Sequence, residues 1–365
     1  MNRRDFLKTG AVVGGSIAVA GVLGGCNDCE KDVNINRGKK LKLKLATSWP
    51  DKFPIMGTGV DRFAERVKTI SGGSIEIKVY PKNRLVPALA VFDTASTGQI
   101  DIFHSGPYYW KGKNSAFSIF GGVPFGMTPE ESIGWFRNGD GLELWRELYA
   151  KQNLYPLLGG NTGPQMGGWF RKEIKSSADL NGLKMRIPGL GGELFSRLGV
   201  NSVLLPAGEI YTALDRGTLD AVEWVGPALD KTMGFHKVAK HYYSGWNEPG
   251  SILELTFNKN SWEKLSDEQK QIIEVASNEL HSEMSQNFHY ENSKALRELK
   301  SDSSISIGQF PDEVTKTAKK EFEKLIDQLS SENSDFKKVW DSYSAYNLTV
   351  KEWTAISTTS YLNGR

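Results

Sequence analysis

Charged side chains that could hold a small anion lie at the ends of predicted strands. Arg186 stands near the carboxyl end of one such strand, and alternation places it on the opposite face from Met185 and Ile187. In open α/β sheets this end faces the ligand crevice, and a guanidinium there can hold a carboxylate through two parallel, charge-assisted hydrogen bonds. A solvated arginine at a strand edge fits the same position, and the sequence leaves both alternatives open.

A carboxylate next to a tryptophan follows another predicted strand. Glu223 and Trp224 stand where a loop would enter the crevice. There the carboxylate could ligate a hard cation while the indole walls off an apolar pocket. The alternative is that Trp224 belongs to the core, and the tyrosines and tryptophan at 108–110 offer the same two alternatives. Gln165 and Asn161, which we expect at the start of a strand of a second lobe, offer neutral oxygen ligands or donors.

The two loops that carry these groups belong to a weak internal repeat. Residues 92–101 and 210–220 each predict a short helix that stops at a glycine, followed by a strand that begins with an aspartate. Gly98 and Gly217 can take the left-handed conformation that ends a helix. Both following loops end in Gly-Pro. We interpret the repeat as two α/β lobes that each deliver one loop to a shared cleft. Coincidence is the alternative, because helix-glycine-strand junctions are common.

Hydrophobic periodicity predicts the elements that position these loops. Apolar and polar residues alternate in the predicted strands, and apolar residues recur at helical spacing between the first two. Strand, helix and strand in that order are the unit of a parallel α/β sheet, so we predict an α/β fold. The strands are expected at 41–46, 74–80, 165–171 and 183–187, and the helices at 56–70, 266–299, 311–329 and 336–346.

Composition and missing motifs argue against several functions. The chain of 365 residues, long enough for two domains, has a formal net charge of +2, and residues 1–25 carry three basic and one acidic residue. The remainder is near neutral, which gives no electrostatic case for nucleic acid. No G-x-S-x-G, H-E-x-x-H or P-loop motif occurs, and the five histidines lack metal-site spacing. Residues 188–193 superficially resemble a dinucleotide site but lack the third glycine, so we expect a tight strand-to-helix turn. An enzyme is the weaker hypothesis.

The N-terminus predicts export. Arg3 and Arg4 precede an apolar, glycine-rich run that ends at Cys26, which is typical of a twin-arginine signal over residues 1–25 with a lipoprotein processing site. A retained membrane helix is the alternative, but the run is shorter than the ~20 residues that a span needs. Residues 26–40 then form a flexible tether from the lipidated Cys26. Cys26 and Cys29 also have redox-pair spacing, which no surrounding βαβ pattern supports.

Four sequence segments resemble a known family. They are LATSWP at 45–50, STGQID at 96–101, LKMRIP at 183–188 and LDRGTLDA at 214–221. From about residue 41 through the last helices, the chain resembles the extracytoplasmic solute receptors of tripartite ATP-independent periplasmic (TRAP) transporters. Tyr108, Tyr109, Gln165, Glu223 with Trp224, and residues 245–250 resemble the branch that binds 2-oxo monocarboxylates such as pyruvate, or hydroxy acids such as lactate.

This resemblance implies a binding site with a bound cation. Arg186 would receive the substrate carboxylate. Gln165, Glu223 and the backbone oxygen of Trp224 would hold a metal cation, sodium or calcium, that also meets the substrate. The residues expected to contact the substrate are Arg186, Gln165, Tyr108, Tyr109, Asn161, Trp224, Phe53 and Glu248.

The resemblance also implies a hinged periplasmic solute-binding fold that closes on its ligand around a long bridging helix. We expect lobe I at 41–160 with a returning segment near 250–265, lobe II at 161–249, and C-terminal helices at 266–365 that form a homodimer in some relatives. The implied partner is a membrane permease, and the implied location is the periplasm, tethered through Cys26. A receptor for a dicarboxylate or sugar acid is the second hypothesis, and an exported enzyme is the third.

Overall fold

The computed structural model describes residues 40–365, and the predicted export signal, Cys26 and Cys29 lie outside them. The predicted α/β class is confirmed. None of the helices within this range combines the length and apolar character of a membrane-spanning segment. The strands are β1 Leu41–Thr47, β2 Ile75–Tyr80, β3 Ile102–Ser105, β4 Leu154–Asn161, β5 Met166–Phe170, β6 Lys184–Arg186, β7 Asn201–Val203, β8 Ala221–Val222, β9 His241–Ser244, β10 Ile252–Asn258 and β11 Ser306–Gln309.

The helices surround two sheets. They are α1 Met56–Ile70, α2 Val91–Ser96, α3 Phe117–Gly121, α4 Pro129–Asn138, α5 Gly141–Ala150, α6 Gly189–Arg197, α7 Ala207–Asp215, α8 Pro227–Met233, α9 Phe235–Val238, α10 Lys259–Glu263, α11 Asp267–Ser301, α12 Asp312–Glu332, α13 Ser334–Thr354 and α14 Ser360–Asn363. Short 3₁₀ turns cover Pro107–Trp110 and Ser177–Leu180, and a π-turn covers Ala355–Thr359.

The two sheets share one strand arrangement. Among the described residues the first sheet has the order β2-β1-β3-β10-β4, and the second has the order β7-β6-β8-β5-β9 with β11 added at its edge. In each, the first three strands are parallel and the next pairs antiparallel. β10 therefore occupies in the first sheet the place that β5 has in the second. The chain passes from the first sheet to the second after β4, returns to the first with β10, and enters the second sheet again with β11.

The internal repeat is structural. Gly98 and Gly217 have φ of 78° and 73°, the left-handed values expected for a glycine that ends a helix. The Asp101 amide donates to the carbonyl of Lys44 (3.1 Å), and the Asp101 carboxylate accepts from the Lys44 amide (2.8 Å). Asp220 makes the same pair of bonds with Lys184, at 2.7 and 2.9 Å. Each aspartate thus fixes the start of its strand against the neighbouring strand, which confirms that the resemblance is not coincidental.

Two short segments cross between the sheets. Residues 162–165 connect β4 to β5, and residues 245–251 connect β9 to β10. The segments are hydrogen-bonded to each other, from the Thr162 amide to the Ser251 carbonyl (3.0 Å) and from the Gln165 amide to the Glu248 carbonyl (2.9 Å). The predicted long helix, α11, begins after the capping residue Ser266 and packs against α1, β4 and α8.

Two expectations need correction. β11 lies within 266–365, which we expected to contain the C-terminal helices; it is a short edge strand with mostly exposed residues, and local periodicity does not reveal its pairing with β9. Asn161, expected to open a strand of the second lobe, is the last residue of β4 and pairs with Ile252 in the first sheet. The predicted lobe boundaries stay a prediction.

Candidate functional site

Arg186 is buried at the carboxyl end of β6, so the alternative of a solvated arginine is wrong. Its Nε donates to the carbonyl of Leu205 (3.2 Å), and its Nη1 donates to the carbonyl of Glu223 (2.7 Å). Nη2 lies 3.4 Å from the hydroxyl of Tyr109. The guanidinium also lies over the ring of Trp224, 4.7 Å from its centroid. These contacts fix the plane of the guanidinium before any ligand arrives.

Glu223 is a buried carboxylate with an incomplete set of partners. One carboxylate oxygen lies 3.6 Å from Nη1 of Arg186. Neither oxygen accepts a hydrogen bond from the described part of the chain. Burial raises the pKa of Glu223 well above its ordinary value, the charge of Glu248 raises it further, and Arg186 opposes both. A second positive charge beside this carboxylate would therefore favour its ionised form.

Gln165 adds a second unpartnered oxygen beside the same loop. Its Nε2 donates to Oγ1 of Thr162 (3.1 Å), while its buried Oε1 has no partner within residues 40–365. The next residue, Met166, donates its amide to the carbonyl of Val225 (2.9 Å), which holds Gln165 alongside residues 223–225.

The oxygen donors fit a hard cation. An amide oxygen, a carboxylate and a backbone carbonyl are the ligands that sodium and calcium take. The residues that would supply them are Gln165, Glu223 and Trp224. Within the described range, no three His, Cys, Asp or Glu residues are grouped as metal ligands. The side-chain oxygens of Gln165 and Glu223 that have no hydrogen-bond partner in this range are therefore consistent with the predicted cation ligands.

A cluster of aromatic rings adjoins Arg186 and includes residues that follow β1, β3 and β8. Trp224 lies with its ring centroid 6.3 Å from Phe53 and 6.5 Å from Trp49. Tyr109 stands edge-on to Tyr108 at 4.8 Å. Burial is the main cause that raises the pKa of both tyrosines, so they remain neutral phenols. Trp224 is buried, as the core alternative required, and its ring also covers the guanidinium.

Glu248 and Asn161 stand at the edges of this cluster. Glu248 accepts a hydrogen bond from the hydroxyl of Ser251, and burial raises its pKa to about 7. A Cβ placed on Gly189 would lie 3.0 Å from Cβ of Tyr108 and 3.9 Å from Oε1 of Glu248. Asn161 is less available than expected, because its Oδ1 accepts from the Gly163 amide (2.7 Å); its Nδ2 has no partner among the described residues.

Two further residues belong to this region and were not among the predicted site residues, although the segment 245–250 that contains Asn247 was recognised. Asn247 is buried with neither amide atom partnered in the described chain. His104 is buried between two partners: Nδ1 accepts from the indole of Trp49 (2.6 Å), and Nε2 donates to the carbonyl of Gly159 (2.8 Å). Burial lowers the pKa of His104 to about 4, so it is neutral. The repeat could have identified His104, because it follows Asp101 by three residues as Glu223 follows Asp220.

Comparisons with known proteins agree with this geometry. The profile of a family described as "Bacterial extracellular solute-binding protein, family 7" matches residues 45–333. A protein of Nostoc sp. (strain PCC 7120) named a monocarboxylate 2-oxoacid-binding periplasmic protein is 36% identical over 367 residues, which cover 100% of this chain and 98% of the relative.

Two solved structures are similar over nearly the same range. A TRAP periplasmic solute-binding protein from Colwellia psychrerythraea, with bound calcium and pyruvate, has a TM-score of 0.88 and 39% identity over 90% of this chain and all of the other. A TRAP periplasmic solute-binding protein from Pseudoalteromonas atlantica, with bound sodium and pyruvate, gives the same TM-score, identity and coverage.

Proposed function

The chain belongs to the bacterial extracellular solute-binding proteins of family 7, and we propose that it captures a small 2-oxo or 2-hydroxy monocarboxylate, pyruvate-like in size, together with a metal cation. It is a periplasmic solute receptor of the TRAP transporter class and not an enzyme, as predicted. The observation that carries the proposed ligand class is the buried guanidinium of Arg186 next to the unpartnered oxygens of Glu223 and Gln165.

Arg186 supports a carboxylate ligand. A guanidinium has five N–H groups, and the contacts to Leu205, Glu223 and Tyr109 engage three of them. The remaining two can bind both oxygens of a carboxylate through charge-assisted bonds. The ring of Trp224 excludes water on one face of the guanidinium, which strengthens those bonds.

A monocarboxylate fits better than a dicarboxylate. A second carboxylate in the same cleft would call for a second cationic side chain. Among residues 40–365, Arg186 is the one arginine or lysine that is buried. The aromatic rings of Tyr108, Tyr109 and Phe53 leave the remainder of the ligand in apolar surroundings, which favours a short 2-oxo or 2-hydroxy acid over a sugar acid.

A cation solves the electrostatic problem that Glu223 creates. Its carboxylate and the ligand anion would repel one another in a buried site that contains a single guanidinium. A cation held by Gln165, Glu223 and the carbonyl of Trp224 would supply a second positive charge and fix the orientation of the ligand. The Colwellia and Pseudoalteromonas proteins contain calcium and sodium, respectively, with pyruvate, which supports either ion here.

The proposed setting is a membrane surface. We propose that the chain is exported through its twin-arginine signal and lipidated at Cys26, so that residues 26–40 tether it near a permease. The C-terminal helices carry exposed apolar side chains, Leu348, Trp353, Ile356 and Tyr361, which fit the proposed homodimer. Mass spectrometry of the mature protein tests lipidation, and sedimentation of the wild type against Trp353→Ser tests the dimer.

Calorimetric titration tests the ligand assignment. The purified protein is titrated with pyruvate, lactate, a longer 2-oxo acid and succinate, with calcium or sodium and after chelation. We expect pyruvate or lactate to bind, with an affinity that depends on the cation, and succinate to bind more weakly. Arg186→Lys keeps the charge but loses the planar fork, so affinity should fall by about 30-fold, equivalent to about 2 kcal/mol. Absence of binding by every 2-oxo and 2-hydroxy acid would refute the assignment.

A further inference from the structure

Asp230 lies behind the loop that carries Glu223 and Trp224, and no part of the proposed binding chemistry uses it. It is buried on α8, and its carboxyl group accepts hydrogen bonds from side chains of two strands and from the loop before the helix. Its Oδ2 accepts from the indole of Trp169 (3.2 Å) and from the hydroxyl of Tyr242 (2.9 Å). Its Oδ1 accepts from the backbone amide of Val225 (3.1 Å).

The bond to Val225 acts on the peptide group next to the proposed cation. The amide of Val225 and the carbonyl of Trp224 belong to one planar, trans peptide unit, so fixing the N–H also fixes the direction of the C=O, which points the opposite way. A hydrogen-bond acceptor on the N–H further polarises the unit and strengthens the carbonyl as a ligand. We propose that Asp230 is a positioning residue that orients the Trp224 carbonyl as a cation ligand.

The support behind Asp230 is rigid. Trp169 on β5 and Tyr242 on β9 stack with centroids 4.0 Å apart and planes at 13°, and both donate to the same carboxylate oxygen. Side chains of two strands therefore fix the carboxyl group of Asp230, which in turn fixes the loop at the amide of Val225. The Val225 carbonyl, bound by the Met166 amide (2.9 Å), fixes the following peptide as well.

The first sheet contains a comparable indole–carboxylate pair in which the carboxylate accepts from a side chain rather than from a loop amide. Trp110 follows Pro107 by three residues, as Asp230 follows Pro227. The indole of Trp110 donates to the buried carboxylate of Glu254 on β10 (2.6 Å), whose other oxygen accepts from Thr256 (2.7 Å). Here the indole is on the loop and the carboxylate on the strand, the reverse of the second sheet. Glu254→Gln is therefore a control for loss of an indole–carboxylate pair away from the cation.

Hydrogen exchange tests the positioning role in the ligand-free protein. In Asp230→Asn one side-chain oxygen remains, so it can serve Val225 or the two ring donors but not both. We expect the amide of Val225 to exchange faster in Asp230→Asn and to be unchanged in Glu254→Gln. Asp230→Glu, which keeps the charge but displaces the carboxylate by one methylene, provides a second variant if Asp230→Asn does not fold. Unchanged exchange at Val225 would overturn the proposal.

Cation titration tests the consequence, which rests on the proposed function. With pyruvate saturating, we expect the calcium or sodium concentration for half-maximal binding to rise by about 10- to 100-fold in Asp230→Asn. It should stay at the wild-type value in Glu254→Gln. Equal cation dependence in all three proteins would overturn the positioning role while leaving the ligand assignment intact. If the wild type binds neither cation nor 2-oxo acid, the proposed function fails, and the Val225 exchange rate still decides whether Asp230 orients the peptide.

Discussion

The internal repeat forms two units. The first consists of residues 92–101 with β3, the loop after it and the neighbouring β1, and the second of residues 210–220 with β8, the loop after it and the neighbouring β6. The two units share a backbone arrangement but differ in the charged and polar side chains at matching positions. Strand register makes Ala46, paired with Phe103, the counterpart of Arg186, which is paired with Val222. Three residues beyond the repeated aspartate, the first unit has His104 and the second has Glu223. Ala46 is part of an apolar cluster, whereas Arg186 is a buried charge.

The difference supports the proposal that the charged part of the binding site belongs to one of the two repeated units. Both ring nitrogens of His104 have partners inside the protein, and its neutral form satisfies them. The carboxylate of Glu223 accepts no hydrogen bond from the described residues. Buried polar groups are normally satisfied, so the unsatisfied carboxylate in this repeated backbone setting supports the proposed ligand position. The first unit contributes shape through its tyrosines, and the second contributes charge.

The largest expected loss of stability follows from introducing the arginine of the second unit at the matching position of the first. Ala46→Arg would place a guanidinium beside Phe103 in an apolar cluster, where the neutral His104 stands at the position that corresponds to Glu223. We expect the free energy of unfolding in urea to fall by about 3–5 kcal/mol, the usual cost of an uncompensated buried charge. Ala46→Met, of similar length but uncharged, separates the steric part. Equal losses in the two variants would contradict the electrostatic explanation.

The pH dependence of stability tests the buried carboxylate of the first sheet. Burial raises the pKa of Glu254 to about 7. Between pH 4.5 and 7 the native state keeps this proton while the unfolded chain has released it, so stability falls as pH rises through that window. At about 1.4 kcal/mol per pKa unit, the loss reaches up to about 3 kcal/mol.

Glu254→Gln removes this titration. The stability of the variant relative to the wild type should increase from pH 4.5 to 7 in denaturant titrations. The neighbouring Tyr149 stays neutral throughout, because burial raises its pKa as well. Asp230 and Glu248, whose pKa values are also raised to about 7, keep the same slope in both proteins. A constant difference between the two proteins across the window would be inconsistent with a proton on Glu254.

The smallest expected effect concerns the matching bonds that Asp101 and Asp220 make with the neighbouring strand in each unit. Asp220→Ala removes the bond from the Lys184 amide and should cost about 1 kcal/mol. Asp101→Ala removes the matching bond from Lys44 and also a bond from the hydroxyl of Ser261 (2.9 Å), so its loss should be up to about twice as large. Asparagine at either position keeps an acceptor and should be nearly neutral. Unfolding in urea measures all four variants, and a larger loss for Asp220→Ala than for Asp101→Ala would contradict the equivalence.

Sequence patterns predicted elements with strong local periodicity. The bounds of α1 match the prediction because Val60, Phe63 and Val67 recur on one buried face. Alternation also predicted that Arg186 lies on the face of β6 opposite Met185. Roles that depend on distant pairing were not predictable: β8 has two residues, β11 is identified only by its pairing with β9, and Asn161 joins the first sheet through β10. The contacts of His104 and Asp230 likewise come from other strands.

The paired crossing segments restrict how the molecule can change shape. Because the Thr162 and Gln165 amides bind carbonyls of the opposite segment, the two connections cannot twist independently without breaking those bonds. A third connection, α10 and α11, runs from β10 in the first sheet to β11 in the second and packs against both β4 and α8, so it restricts relative movement further. These connections favour a hinge-like rotation over independent twisting, and Gln165 belongs to one of the crossing segments. A cation held by Gln165, as proposed, would therefore bind beside the connection between the two sheets, where a hinge-like rotation displaces atoms least.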